Sequence, residues 1–521
     1  MLDHERKTTM CIRQDAAALP SSWVTTTLGD VTFPRGVKVK PSEMKDAPFI
    51  GLKDIEAHTL RLLGMGQARD VKSSGSYFDR GDVLYGRLRP YLNKIYQPHF
   101  SGLASGEFIV FPNQSHLDNT YLMYFFNQLE FVSYATRLNA GDRPRVDFDQ
   151  LANYPFPLPP LPEQRRIVAE IEKQFTRLDA AEAALRRVEA NLKRYRASVL
   201  KAACEGKLVA TEAELAEAEG RDYEHAEQLL KRILAERRAR YVSQEKKRKK
   251  YKEPVPPDIS NLPELPGGWV WATIGQIGEI GEQTVLTGPF GTNLKKEDFT
   301  SEGVPVVTIG CLTEAGLNLE KAAFVSNEKA NELNRYGLRL GDLLFSRMAT
   351  VGRAGIVGQE ADGCLFNYHL MRLRLDRDTL LPQFYMAYVR GSSQVRHYVK
   401  EANHGATRDG INTIQLLEMP VSVPPLCEQY RIVADVESRL SIIEQAETTV
   451  ATSLKRVGRL RQSILRQAFC GQLVPQDPDD EPASVLLEHI REERAAESQQ
   501  NRRRRPKAAL DKKLHLLEDG P

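Results

Sequence analysis

Pro159-Pro160-Leu161-Pro162-Glu163-Gln164-Arg165-Arg166-Ile167-Val168-Ala169 is answered, 265 residues on, by Pro424-Pro425-Leu426-Cys427-Glu428-Gln429-Tyr430-Arg431-Ile432-Val433-Ala434. The offset holds without a gap to the far end of both stretches. There Ser198-Val199-Leu200 through Gly206-Lys207-Leu208-Val209 faces Ser463-Ile464-Leu465 through Gly471-Gln472-Leu473-Val474. A repeat of this length marks a duplicated unit, so the chain is to be read in halves.

Each copy predicts one long helix. Pro162 fits the first turn, where its missing N–H costs nothing. Glu163 and Glu428 place negative charge at the positive end of the helix dipole. Gly206 and Gly471 supply a left-handed stop. Between these signals Ile171, Leu178, Leu185, Leu192 and Val199 recur every seven residues, with Ala181, Val188 and Tyr195 interleaved. The second copy gives Val436, Ile443, Val450, Val457 and Ile464, with Ala446 and Leu460 between. Two such narrow stripes predict a coiled-coil seam in which the copies cover each other. Equal length and matched pattern make this the simplest way to bury both stripes; two independent amphipathic helices, each lying on its own domain, are the alternative.

Outside the helices the repeat is only a frame. Leu19-Pro20-Ser21-Ser22-Trp23-Val24 has its counterpart in Leu265-Pro266-Gly267-Gly268-Trp269-Val270, and the two tryptophans read as core anchors. Gly81-Asp82-Val83-Leu84-Tyr85-Gly86-Arg87 parallels Gly341-Asp342-Leu343-Leu344-Phe345-Ser346-Arg347. Short β-rich runs such as Pro48–Leu52, Asp82–Tyr85 and Glu107–Phe111 are bounded by turn residues and read as strands. Leu117–Leu138 is helical in pattern, with Tyr121, Tyr124, Phe125 and Leu129 on one side. The fold class is therefore α+β: two diverged α+β domains separated by two long helices that repeat one pattern. Glu227–Arg237 and Val485–Arg494 predict a further matched pair of helices, and the basic, proline-containing run from Lys246 to Pro263 reads as a linker.

Composition is that of an ordinary soluble protein: 41% hydrophobic, 27% charged, net charge +3 over 521 residues. Basic charge is local, in Lys246–Lys250 and Arg502–Arg505. The six cysteines form no C-x-x-C pair, which argues against a zinc site or a disulfide framework and suits a reducing cytoplasm. No run of about 18 apolar residues suggests a membrane span. The phosphate-cradling G-x-x-x-x-G-K-[ST] and the dinucleotide G-x-G-x-x-G are both missing, as is H-E-x-x-H. Asn153-Tyr154-Pro155-Phe156 lacks the paired prolines with which an amino-methyltransferase grips a flipped base. The chain is expected to be non-catalytic.

Taken together, the two Pro-Pro-Leu-x-Glu-Gln helix starts, the two Gly-Asp strands, Thr287-Gly288-Pro289-Phe290-Gly291-Thr292-Asn293-Leu294-Lys295 and Gln462-Ser463-Ile464-Leu465-Arg466-Gln467-Ala468-Phe469 resemble the specificity (S) subunit of type I restriction–modification enzymes. The resemblance runs from Leu19 to about Ala496. It implies two target-recognition domains, each reading half of a split double-stranded DNA site, and two conserved helices paired as an antiparallel coiled coil about a pseudo-twofold axis. The expected divisions are a tail (1–19), a first target-recognition domain (20–157), a first helical spacer with linker (158–262), a second target-recognition domain (263–423) and a second spacer with a basic tail (424–521). The resemblance also implies two methyltransferase (M) subunits carrying S-adenosylmethionine and two restriction (R) subunits using ATP and magnesium. No cofactor is expected on this chain itself. Cys427 departs from the first copy's Pro162, a change that a first helical turn accommodates.

Arginine and asparagine make paired hydrogen bonds to guanine and adenine edges, while lysine positions phosphate. The expected DNA contacts are Lys38, Lys40, Arg87, Arg89, Asn93, Lys94, Arg143 and Arg145 in the first domain. In the second they are Asn293, Lys295, Lys296, Arg347, Arg353 and Arg408. For Lys38, Lys40, Lys295 and Lys296 a solvated loop is the other reading, and for Arg143, Arg145 and Arg408 a local ion pair. Tyr91, Phe290 and Tyr368 are aromatic side chains among polar loop residues. A coiled-coil adaptor with two domains that bind something other than DNA is the alternative function.

Overall fold

A computed structural model describes residues 19–243, 251–279, 282–291, 293–313, 316–347, 353–377, 379–402 and 410–493. Arg408 and the runs Lys246–Lys250 and Arg502–Arg505 lie outside them. The fold is mixed helix and strand, and the chain forms two compact units: Met1–Leu185 with Thr452–Pro521, and Arg186–Ala451. The division falls inside both long helices, Leu161–Cys204 and Leu426–Phe469, so each unit owns part of each.

In the first unit Val24–Thr27 pairs antiparallel with Pro155–Leu158, which ties the domain's entry to its exit. Three strands, ordered Ile95–Tyr96, Val83–Gly86, Phe108–Phe111, form one sheet. Five form another, ordered Lys38–Val39, Gly75–Phe78, Gly102–Ala104, Pro48–Ile50, Gly66–Gln67. The second unit repeats the plan. Val270–Thr273 pairs with Pro420–Val423, and two four-stranded sheets follow. One parallel pair recurs in each: Pro48–Ile50 with Gly102–Ala104, and Val304–Val307 with Leu365–Phe366. Each unit has a basal core joining its helices to the first sheet and a separate outer core under the second sheet.

The predicted helix at 117–138 is two helices, Asn119–Phe126 and Leu129–Arg137. Gln128 is extended between them, with φ −72° and ψ 142°. The break resets the helical face: Tyr121, Tyr124 and Phe125 are buried, whereas Leu129 is exposed. Glu212–Glu219 and Ala226–Ser243 are helical, as is 483–493.

The heptad reading is corrected in one respect. Val436, Ile443, Val450, Val457 and Ile464 are buried, but Val188, Tyr195 and Leu460 are exposed. The companion rank lies four residues after the first, not three. It contains Phe175, Glu182 and Arg196 on one helix, and Leu440, Glu447, Leu454 and Arg461 on the other. Charge rather than hydrocarbon fills much of that rank. In the first unit Arg461 bonds Asp179 at 2.6 Å and Glu182 at 3.0 Å, with its guanidinium 5.7 Å from the Phe175 ring. In the second unit Arg196 bonds Glu447 at 2.9 Å. An apolar-only search for periodicity cannot see such a rank.

Both helix stops are as expected. Gly206 and Gly471 adopt φ of 64° and 70°. Lys207 N–H reaches back to the Ala202 carbonyl at 2.9 Å, and Gln472 N–H to that of Gln467 at 2.8 Å. These bonds satisfy carbonyls left open at a helix end. Each glycine is also pressed against the start of a domain. A Cβ on Gly206 would fall 2.5 Å from Pro266 and 3.1 Å from Trp269; one on Gly471 would strike Pro20.

Candidate nucleic-acid interface

The duplicated Glu-Gln pair turns out to be the joint between helix and domain. Gln164 is buried; its Oε1 accepts from Asp118 N–H at 2.9 Å and its Nε2 donates to the Pro159 carbonyl at 3.0 Å. Gln429 does the same with Leu381 N–H at 3.0 Å and the Pro424 carbonyl at 3.0 Å. Asp118 and Leu381 are the N-caps of equivalent domain helices, Asn119–Phe126 and Pro382–Gly391. The glutamates are buried too. Glu428 accepts from Trp269 Nε1 and from Glu212 N–H, both at 2.9 Å. Glu163 accepts from Gln476 Nε2 at 2.8 Å and lies beside Trp23. Burial pushes both carboxyls above the usual glutamate range. Trp23 and Trp269 are buried, as core anchors should be.

The Gly-Asp motif is a second joint, one level up. Gly81 and Gly341 turn with φ of 86° and 84°. Asp82 then accepts from Arg35 Nε at 2.8 Å and Nη2 at 2.9 Å, and from the backbone N–H of Asp79 at 2.8 Å and Asn113 at 2.9 Å. Asp342 accepts from Arg374 Nε and Nη2, both at 2.7 Å. A buried carboxylate so fully satisfied fixes the strand that leaves it. That strand delivers Arg87 in one unit and Arg347 in the other.

In the first unit Arg87 N–H donates to the Glu107 carbonyl at 2.9 Å, and its own carbonyl accepts from Val146 at 3.0 Å. Leu88 bridges Arg145, and Arg89 N–H donates to the Pro144 carbonyl at 2.7 Å. Four expected contacts, Arg87, Arg89, Arg143 and Arg145, are thus gathered on two adjoining loops. Carboxylates already meet two of them. Arg87 pairs with Asp147, and Arg145 forks onto Glu107 at 2.7 and 3.0 Å. The Arg145 hydrogen bonds hold Glu107 below its ordinary range. Glu107 and Asp147 were not singled out from sequence, since acidic residues carry no local signal for a partner 38 or 60 residues away. Arg89 and Asn93 bracket the turn Pro90–Leu92, both left-handed with φ of 54° and 43°, and Tyr91 stands exposed between them.

Asn93 is not on the surface with the arginines. Its side chain is buried and donates from Nδ2 to Asn127 Oδ1 at 2.6 Å. Lys94 is half-buried and donates from Nζ to the Leu52 carbonyl at 2.6 Å, which makes it a local strut. Lys38 and Lys40 are exposed, at the edge strand of the five-stranded sheet.

In the second unit Arg347 N–H donates to the His369 carbonyl at 3.1 Å, and its carbonyl accepts from Ile411 at 3.0 Å. The backbone frame is that of Arg87, but the surroundings differ. Asn412, the N-cap of Thr413–Glu418, stands where the first unit has Asp147. The Arg347 guanidinium lies 5.7 Å from the Phe290 ring centroid instead of on a carboxylate. Phe290 stacks on Tyr368 at 6.2 Å with 28° between planes, and Tyr368 meets His369 at 3.9 Å. Burial, and then Arg347, push the His369 imidazole below its ordinary range. Gly288 permits the approach: a Cβ there would overlap the Asn367 carbonyl. Arg353 flanks the same hairpin as Arg347, its N–H donating to Ser346 Oγ at 3.1 Å. Asn293, Lys295, Lys296 and Arg353 are exposed. The sequence named Arg347, Phe290 and Tyr368 singly; nothing in it showed that residues 57 and 78 positions apart would form one cluster.

Among the described residues no group of histidine, cysteine and acidic side chains could hold a metal, and no helix is long and apolar enough to cross a membrane.

A family model for the type I restriction modification DNA specificity domain matches residues 71–189 and 266–450. Among curated relatives, the EcoKI specificity subunit of Escherichia coli strain K12 is 27% identical over 353 residues, 65% of this chain and 64% of that one. The EcoBI specificity subunit of Escherichia coli is 25% identical over 348 residues, again covering 65% and 64%. The StySPI specificity subunit of Salmonella potsdam is 24% identical over 417 residues, 76% and 74% of the two chains. The chain thus spans slightly less than two thirds of the first two relatives. A chain solved in a study of complex assembly and conformational transition of the type I R-M system superposes with a TM-score of 0.64 at 20% identity. It covers 88% of this chain and all of that one, a likeness of fold.

Proposed function

This chain belongs to the type I restriction modification DNA specificity domain family, and from that premise we propose that it is the DNA-specificity subunit of a type I restriction–modification complex. The observation that carries the reading is the double match: the family model meets the chain once in each half, at 71–189 and 266–450. Each match takes in part of a domain and the start of its long helix.

In this reading residues 20–157 and 263–423 are two target-recognition domains, each reading one half of a bipartite site with an unread gap between. The long helices pair as an antiparallel coiled coil, a reading supported by the Arg461–Glu182 and Arg196–Glu447 bonds within the two units. On that spacer two M subunits dock, bringing S-adenosylmethionine, and two R subunits join, bringing ATP and magnesium. The chain itself performs no chemistry. Its role is to position: the glutamine joints fix each domain on its helix, and the Gly-Asp joints fix the arginine-bearing loops on each domain. The complex works in the cytoplasm of a prokaryote.

With a net charge of only +3, the isolated chain should bind DNA weakly, because phosphate neutralisation provides most of the binding strength. The test is to co-express it with its M subunits and map methylated bases across a genome. A single bipartite motif is expected. Methylation without any sequence preference would overturn the proposal.

A further inference from the structure

We propose that Arg347 reads a guanine in the second domain's half-site, with Phe290 and Tyr368 packing on the neighbouring base. The inference rests on the reading of this chain as a DNA-specificity subunit and deepens it to one side chain and one kind of base.

Three observations favour base contact over phosphate contact. The first is the difference between equivalent positions. Arg87 is met by Asp147, whereas no carboxylate pairs with Arg347 among the described residues. The second is the state of the guanidinium. Its Cζ lies 5.7 Å from the Phe290 ring centroid; its Nε is buried without an acceptor among the described residues, a feature it shares with Arg87. A guanidinium held against an aromatic ring is partly pre-oriented, so less freedom is lost when its fork engages two acceptors. Guanine O6 and N7 offer two such acceptors in the major groove. The third is the exposed apolar surface beside it. Phe290 is 53% exposed and Tyr368 37% exposed. Aromatic rings beside a phosphate stay wet and gain nothing. Against a base edge, a thymine methyl group or a partly unstacked step they are buried. Lysines 295 and 296, exposed and close in sequence to Phe290, are placed to hold the phosphates that flank such a contact.

The test uses the full chain assembled with its M subunits. The complex methylates a random-sequence duplex library, and sequencing of the modified molecules gives the preference at every position. Wild type, Arg347→Lys and Phe290→Ala are compared, with thermal unfolding of each to confirm an intact fold. Arg347→Lys keeps the charge and loses the fork. It should relax one guanine position of the second half-site by roughly 10- to 100-fold and leave the first half-site unchanged. Phe290→Ala should weaken preference at the same or the adjacent position. Equal loss of methylation at all sequences, with no position relaxed, would mean a phosphate contact and would overturn the inference while leaving the specificity-subunit reading intact. No change in either variant would overturn it too. A wild-type library with no preferred sequence would sink the underlying reading, and the inference with it.

Discussion

Gln164 and Gln429 show how much of this fold hangs on single side chains. Each spends one acceptor on the first open N–H of a domain helix and one donor on its own proline carbonyl. Replacement of Gln429 by alanine would strand both groups in a buried site. Each orphan costs about 1–3 kcal/mol, so Gln429→Ala should lower unfolding stability by about 2–4 kcal/mol, measured by denaturant titration. Glu212 makes a pH-dependent case. Burial opposes its charge, but Arg221 and Arg431, each at 2.6 Å, outweigh burial and hold it below the glutamate range. A carboxyl whose folded value is depressed gives stability that is present above its unfolded value and is lost as pH falls through the folded one. Glu212→Gln should therefore be less stable than wild type at pH 7, and the gap should close as pH falls through and below the ordinary glutamate range. A gap that stays constant down to pH 3 would refute the assignment. The motif Pro-Pro-Leu-x-Glu-Gln was legible in the sequence; the partners of its polar residues were not, because Asp118 and Leu381 lie 46 and 48 residues away.

At the scale of elements, helix starts and stops were readable because proline, glycine and the Glu-Gln pair act within a turn of where they stand. Both long helices run 44 residues between those signals. The break at Asn127–Gln128 was not readable, for the reason that its cause is tertiary. Gln462 on the second long helix accepts from Leu129 N–H at 3.1 Å and donates to the Asn127 carbonyl at 3.3 Å, which satisfies backbone groups that a continuous helix would have paired internally. The half-buried charged rank on each long helix escaped for a related reason, its arginines and glutamates being indistinguishable in sequence from a solvated face. A proline in either long helix should break it. Leu185→Pro or Val450→Pro should cost about 3 kcal/mol or more and lose helical signal by circular dichroism. Arg87→Ala, on a reading loop, should leave that signal and M-subunit assembly unchanged while altering one half-site. Should the proline and alanine variants behave alike in both assays, the separation of scaffold from reader would fail.

At the scale of the whole molecule, the repeated pattern of the helices and the divergence of the domains have one physical explanation on the proposed function. In the proposed function the helices would serve the same partners twice, while the domains would face different DNA letters. The joints are shared, as Gln164 with Gln429 and Asp82 with Asp342 show, but the loops they carry are not. Arginines 87 and 145 sit on carboxylates, and Arg347 sits on an aromatic ring. The most direct measurement is an exchange of residues 25–155 for the same region of a related subunit, followed by methylome sequencing of a host that expresses the chimera with its M subunits. One half of the bipartite motif should change to that of the donor, while the other half and the gap stay as they were. A chimera that assembles yet changes both halves together, or neither, would contradict this.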